Sequence, residues 1–235
     1  MISIVIPTLN EEKYLPKLFK SIKNQTYKDY EIIVSDNFSK DKTREIAKKY
    51  DCKVVDGGLP AKARNNGARV AKYDLLFLDA DTILPDKNFL ENFLETIIKK
   101  KLDIATCTIQ PDSNKLTYKF YYFLKNNFNR FNPMRHISGQ CFFIKKDLFE
   151  KTGGYDEAIQ LGEEHDLIRK VLKHKVKFRF LAKFFVLNST RRLEKEGFIV
   201  LLFKSICSEL YALAFRKIKR RLFNYEFGNY HSSKK

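Results

Sequence analysis

Cysteine is sparse in this chain of 235 residues, and its four copies, Cys52, Cys107, Cys141 and Cys207, stand far apart. With no Cys-x-x-Cys pair and no Cys/His cluster, the sequence argues against a structural zinc site and a disulfide framework. Free thiols fit a reducing, cytoplasmic setting. Glycine is also scarce, and no Gly-x-Gly-x-x-Gly follows a strand pattern, which removes dinucleotide-dependent oxidoreduction. The loop after the first strand pattern, Pro7-Thr8-Leu9-Asn10-Glu11-Glu12, carries no glycine, unlike the loop that sugar nucleotidyl transfer uses at that place. Long clean apolar runs are missing as well. Crossing a bilayer takes about 18–20 apolar residues, and the apolar stretch from Phe198 to Phe215 is interrupted by Lys204 and Glu209. The chain opens Met-Ile-Ser-Ile-Val-Ile-Pro, a strand pattern rather than a secretory leader.

Acidic charge is in deficit. Lys and Arg number 45 against 28 Asp and Glu, a net charge of +17. Such a surplus suits an anionic partner: a phosphate-bearing small molecule, an acidic lipid or a nucleic acid. Hydrophobic residues make up 44% and charged residues 31%, the composition of a folded chain.

The first hundred residues alternate between two periodicities. Apolar runs at Ile2 to Ile6, Tyr30 to Ser35, Lys53 to Val55 and Leu75 to Leu78 read as strands. Between them, Glu12 to Lys23, Asp41 to Tyr50 and Ala61 to Ala71 read as helices, and Asp86 to Lys100 follows. Strand and helix in alternation predict a mostly parallel sheet flanked by helices. The second half is more mixed. Strands are expected at Ile104 to Ile109 and Gln140 to Ile144, an aromatic-rich helix at Thr117 to Phe128, and another helix at Glu163 to Lys173.

In sheets of this kind ligands bind beyond the carboxyl ends of the strands, and chemistry-bearing residues stand there. Asp79-Ala80-Asp81 follows the fourth strand. Two carboxylates two residues apart on an extended chain point to one side and can share a hard cation, Mg²⁺ or Mn²⁺. Asp36 ends the second strand, where a carboxylate can accept a base N–H or simply form a turn. Arg64 lies in Ala63-Arg-Asn-Asn-Gly-Ala68, whose small residues permit close packing, so that its fork can reach a phosphate. Gly162-Glu163-Glu164-His165-Asp166 opens a helix. Glu164 continues the stripe Leu167, Ile168, Val171 toward the interior. The helix N-terminus favours its ionised form, the form a general base needs. His165 is expected to face elsewhere. Arg191-Arg192 either close over a diphosphate or form a solvated basic loop.

In this order the motifs Ser3-Ile-Val-Ile-Pro-Thr-Leu-Asn-Glu-Glu12, Val34-Ser-Asp36, Ala63-Arg-Asn65, Asp79-Ala-Asp81, Gly153-Gly-Tyr-Asp-Glu157 and Gly162-Glu-Glu-His-Asp166 resemble the family 2 glycosyltransferases with the GT-A fold. The resemblance spans residues 1–192 and implies an α/β, Rossmann-like catalytic domain. It implies an inverting transfer of a sugar from a UDP- or GDP-sugar to a glycan or lipid-linked acceptor in glycan or cell-envelope biosynthesis, with a divalent cation. Pro7, Thr8 and Glu11 would line the nucleotide pocket, Asp36 would bind the base and Arg64 the nucleotide side. Asp81 would ligate the metal, and Asp79 would approach the ribose or the metal water. The family's acidic pair usually reads Glu-Asp. Here it is Glu163-Glu164, so the base is Glu164 or, with a shifted register, Asp166.

Residues 193–235 are expected to form an apolar and then basic helical extension that contains the cluster Arg216-Lys-Ile-Lys-Arg-Arg221. Either it lies on an anionic membrane surface, making the protein peripheral on the inner face of the membrane, or it packs on the catalytic domain or a second subunit. A nucleic-acid-binding module is disfavoured, because acidic pairs at strand ends repel phosphate. A GT-A protein that binds without catalysing is the remaining alternative, favoured only by the glutamate at position 164.

Overall fold

The computed structural model describes residues 1–131, 139–159, 162–204 and 207. Strands β1 (Ile2–Thr8), β2 (Tyr30–Asp36), β3 (Lys53–Asp56) and β4 (Leu75–Leu78) alternate with helices α1 (Leu15–Lys23), α2 (Thr43–Lys49) and α3 (Pro60–Val70). After β4 come β5 (Thr82–Ile83), α4 (Phe89–Lys100), β6 (Ile104–Pro111), α5 (Leu116–Phe131), β7 (Cys141–Ile144) and α6 (Lys146–Lys151). Helix α7 (Glu163–Val171), β8 (Phe178–Asn188) and α8 (Arg191–Glu196) complete the order, and 198–204 is again helical. Most of the expected elements are present within a few residues of their expected ends. Strands β5 and β8 and helices α6 and α8 had no counterpart in the sequence reading. Of the C-terminal extension, 205–206 and 208–235 lie outside the described residues.

The eight strands form one sheet in the order β3-β2-β1-β4-β7-β6-β8-β5. Strands β3, β2, β1 and β4 run parallel, β7 is antiparallel to β4 and β6, β8 runs parallel to β6, and β5 is antiparallel to β8. The sheet is therefore mostly parallel, as expected, and it curls. Only Asp79-Ala80-Asp81 separates β4 from β5, yet β5 is the far edge, paired Thr82 to Asn188. This connection carries the end of β8 to the carboxyl ends of β1 and β4.

Alternation along the strands divides the core between the two faces of the sheet. Ile2, Ile4 and Ile6 face a cluster with Leu18 and Phe19 of α1 and with Phe89 and Phe93 of α4. Val5, Ile33 and Phe77 face the other side, with Ala68 of α3, Phe142 of β7 and Leu167 of α7. On that side α3 touches β1 closely: a Cβ at Gly67 would lie 2.4 Å from Val5 Cγ1. Only glycine fits there, and this approach holds Arg64, one turn earlier, over the strand ends.

Candidate active site

A cleft of about 380 Å³ opens at the carboxyl ends of β1 and β4. Its wall brings together Pro7, Thr8, Glu11, Arg64, Asp79, Asp81, Glu163, Glu164, Arg191 and Arg192, residues spread across the whole catalytic region. His165 also lines it, against expectation.

Asp79 and Asp81 converge for a different reason from the one the sequence suggested. They stand on a turn, not an extended chain: the Thr82 N–H donates to the Asp79 carbonyl at 3.1 Å. Strand β8 then fixes the second carboxylate. Asn188 Nδ2 donates to Asp81 Oδ1 at 2.9 Å, and the Ser189 N–H donates to the Asp81 carbonyl at 3.1 Å. Tyr122 of α5 donates its hydroxyl to Asn188 Oδ1 at 2.8 Å, locking the amide's orientation. Sequence reasoning missed both Asn188 and Tyr122, since neither lies in a local motif.

Arg191 spans two of these carboxylates. It donates to both Glu11 oxygens at 2.7 Å and lies 3.3 Å from Asp81 Oδ2, with its guanidinium 4.5 Å from the centre of the Tyr14 ring. Burial still pushes the Asp81 carboxyl up to about 7 against the pull of Arg191, with Asp79 and Glu11 adding repulsion. Burial raises Glu11 as well, again opposed by Arg191. Three carboxylates, Glu11, Asp79 and Asp81, thus share this corner with Arg191. Gathered carboxylate oxygens are the ligands a hard divalent cation takes. Among the described residues no group of three or more His, Cys, Asp or Glu side chains is gathered as a metal cage. Two carboxylates completed by waters and substrate phosphates suffice for Mg²⁺ and Mn²⁺, so Asp79 and Asp81 fit such an ion.

Arg64 organises the opposite wall and is buried. Its Nη1 donates to Glu163 Oε1 at 2.6 Å, its Nη2 donates to Asp79 Oδ1 at 3.0 Å, and Glu164 Oε1 lies 3.4 Å from Nη2. One guanidinium thus faces three carboxylates. Gly139 closes over the group, since a Cβ there would lie 2.5 Å from Glu164 Oε1 and 2.6 Å from Arg64 Nη2. Asn65, the next residue of α3, receives the Tyr155 N–H and donates to Glu157 Oε1, both at 2.9 Å, which ties the Gly153-Gly154 turn to the helix.

Two expected site residues lie off the wall. Asp36 is fully buried beneath it. Thr8 and Ser39 hydroxyls donate to its Oδ1, the Ser39 N–H donates to its Oδ2, and Asn37 beside it faces the cleft. Asp166 is turned toward Lys170 at 3.0 Å and Arg169 at 3.5 Å. The buried face of α7 runs through Glu163, Asp166, Leu167, Ile168 and Val171, so the apolar part of the expected stripe is buried and only its first member, Glu164, is not. Glu164, its side chain 18% exposed, reaches the cleft.

The sequence profile described as "Glycosyl transferase family 2" matches residues 3–153. The chain belongs to glycosyl transferase family 2. An uncharacterized glycosyltransferase of Haemophilus influenzae is 29% identical over 186 residues, 74% of this chain and 62% of that protein. The GalNAc(5)-diNAcBac-PP-undecaprenol beta-1,3-glucosyltransferase of Campylobacter jejuni subsp. jejuni is 32% identical over 128 residues, 48% of this chain and 40% of that protein. This chain therefore spans less than two thirds of the length of either family 2 relative. Among solved structures, S. aureus TarS 1-349 in complex with UDP-GlcNAc superposes with a TM-score of 0.65 at 20% identity, covering 80% of this chain and 58% of that one. Mannosyltransferase PcManGT from Pyrobaculum calidifontis, in complex with GDP-Man and Mn2+, gives 0.66 at 17% identity, covering 88% and 64%. The fold is GT-A, the form expected of the family.

The Arg64 cluster has a consequence for stability. Burial and the adjacent Glu164 push the Glu163 carboxyl up to about 7, with Arg64 opposing. Between its ordinary value of 4.5 and about 7, the folded protein keeps a proton that the unfolded chain has lost. Stability therefore falls as pH rises through this window and levels off above it, by roughly 1–3 kcal/mol from this group. Urea unfolding of wild type and Glu163→Gln at about pH 5 and about pH 8 checks this. The wild type is expected to lose more stability between the two than the variant, and equal losses would refute the assignment.

Proposed function

We propose that the protein transfers a sugar from a UDP- or GDP-sugar to an acceptor hydroxyl or phosphate, with inversion at the anomeric carbon. The carrying observation is that one cleft of the GT-A fold gathers the acidic turn Asp79-Ala80-Asp81, the guanidinium groups of Arg64, Arg191 and Arg192, and the partly exposed carboxylate of Glu164. The acceptor class follows the Campylobacter relative, whose name specifies an undecaprenol-linked glycan. This reading places the protein in glycan or cell-envelope biosynthesis, on the cytoplasmic side of the membrane. No helix among the described residues is long and apolar enough to cross a membrane.

Pro7, Thr8 and Glu11 form the nucleotide side of the cleft. Asp36 braces the loop that meets the base, through Thr8 and Ser39, rather than exposing its own carboxylate. Asp81 and Asp79 would hold Mg²⁺ or Mn²⁺, an ion that neutralises charge on a leaving diphosphate when bound. Arg191 and Arg192 stand where they can pair with the diphosphate, Arg191 by exchanging its carboxylate partners for phosphate oxygens. Glu164 takes the proton from the acceptor hydroxyl as its oxygen bonds to the anomeric carbon. The bond to the diphosphate breaks, and its electron pair leaves with the nucleoside diphosphate. Positioning and electrostatics supply most of the rate gain.

Calorimetry with UDP and GDP, each with and without Mn²⁺, tests the donor side. One nucleotide is expected to bind with Mn²⁺ at least about tenfold more tightly than without it, and Asp81→Asn is expected to remove that gain. Binding of neither nucleotide would sink the reading.

A further inference from the structure

The apolar surface of the protein is not scattered. Of the ten exposed large apolar side chains among the described residues, seven belong to α5 or to the helical segment 198–204: Leu116, Phe120, Phe123, Phe128, Ile199, Val200 and Phe203. Isolated exposed apolar residues are ordinary, whereas a gathered set marks a contact surface. Leu116, Phe120 and Phe123 recur at i, i+4 and i+7, one face of α5. Phe120 and Tyr121 meet Phe198, each with ring centres 6.3 Å apart, so 198–204 lies beside that face.

Both helices also build the cleft. Tyr121, Tyr122 and Lys125 of α5 line it, and so does Leu201 of the neighbouring segment. One side of each helix thus faces the site while another presents large apolar groups to solvent. Along α5 the charge has a single sign, while Glu194 and Glu196 stand just before 198–204, Glu196 paired with Lys204. No Asp or Glu occurs between Asp112 and Asp147, while α5 carries Lys119, Lys125 and Arg130, with Lys119 and Arg130 exposed. Exposed aromatic and aliphatic groups with the cations of α5 beside them match an anionic lipid surface, where the rings enter the acyl boundary and the cations meet headgroups. A protein partner of acidic character would satisfy the cations but leave this density of exposed phenylalanine unused.

We infer that the outer face of α5, extended by 198–204, docks on an anionic bilayer and so holds the mouth of the cleft at the lipid surface. The benefit to a lipid-linked acceptor rests on the transfer reading above. The docking itself does not, because it is measured without donor, metal or acceptor.

The test uses the full 235-residue chain with vesicles of phosphatidylcholine alone or mixed with phosphatidylglycerol, separated by sedimentation. The protein is expected to bind the mixed vesicles, weakly bind the neutral ones, and lose binding at high salt. The double variant Phe120→Asp/Phe123→Asp is expected to bind at least about tenfold more weakly while keeping its thermal midpoint. Three results would overturn the inference. Unchanged vesicle binding by the double variant would move the contact elsewhere, for instance to the basic cluster after residue 215. A large drop in the variant's thermal midpoint would mean that residues 208–235 of the same chain cover the face. A dimer in lipid-free solution that the double variant dissociates would assign the face to a second copy.

Discussion

Replacing Arg64 by methionine is expected to remove about 3–5 kcal/mol of stability, a fall of roughly 6–20 °C in thermal midpoint for a chain of this size. Methionine keeps much of the volume but leaves Asp79, Glu163 and Glu164 facing one another without a cation. The first lies 3.0 Å, the second 2.6 Å and the third 3.4 Å from the guanidinium. Relief has only two routes: protonation of the carboxylates or retreat of α7 from α3. The loss should therefore shrink on acidification, and Arg64→Lys should restore part of it by returning charge without the fork. Thermal melts of the three proteins at about pH 5 and about pH 8 check this. A shift for Arg64→Met under about 2 °C at the higher pH would mean that the cluster does not depend on its arginine.

Glu164→Gln is expected to slow transfer by about 10²–10⁴-fold, the usual contribution of a general base, while nucleotide binding stays near wild type. Glutamine keeps the shape and can still accept from Arg64 Nη2, but it cannot take a proton from an acceptor hydroxyl. Asp166→Asn is expected to cost little rate. Asp166 pairs with Lys170 and Arg169 of its own helix and does not line the cleft, so its loss removes support within α7 rather than a group at the site. These two results together would make the glutamate at position 164, one methylene longer than the family's usual aspartate, a base rather than the mark of a dead site.

Much of the parallel half of the sheet was legible in the sequence, because β1, β4 and the middle of β2 are buried and rich in Ile, Val, Leu and Phe. The acidic turn and the Glu163-Glu164 pair were legible for a related reason, since each sits at an element end marked by a change of pattern, and Arg64 was legible from the small residues around it in α3. Strand β8 was not. Its sequence, Phe178-Arg-Phe-Leu-Ala-Lys-Phe-Phe-Val-Leu-Asn188, breaks alternation where the register with β6 shifts at Cys107/Thr108, and its exposed lysine and arginine dilute the signal. With β8 went Asn188, the residue that orients Asp81. The apolar stripe Leu167, Ile168, Val171 of α7 was legible, but which carboxylates extend it was not, because apolar periodicity ignores them. Glu163 and Asp166 are buried by their cationic partners, and those partners lie on α3 or further along α7. The Glu11–Arg191 pair joins the two ends of the catalytic region, and no local pattern encodes a contact of that span.

The most direct measurement is release of nucleoside diphosphate from a panel of UDP- and GDP-sugars with Mn²⁺ and a membrane lipid extract, run on wild type, Glu164→Gln and Asp166→Asn. The account predicts release from one donor that requires the extract, falls by at least about a hundredfold in Glu164→Gln, and persists in Asp166→Asn. Release that survives Glu164→Gln but is lost in Asp166→Asn would move the base to the other carboxylate and contradict the geometry of α7. No release from any donor would contradict the central claim and leave a GT-A protein that binds without transferring.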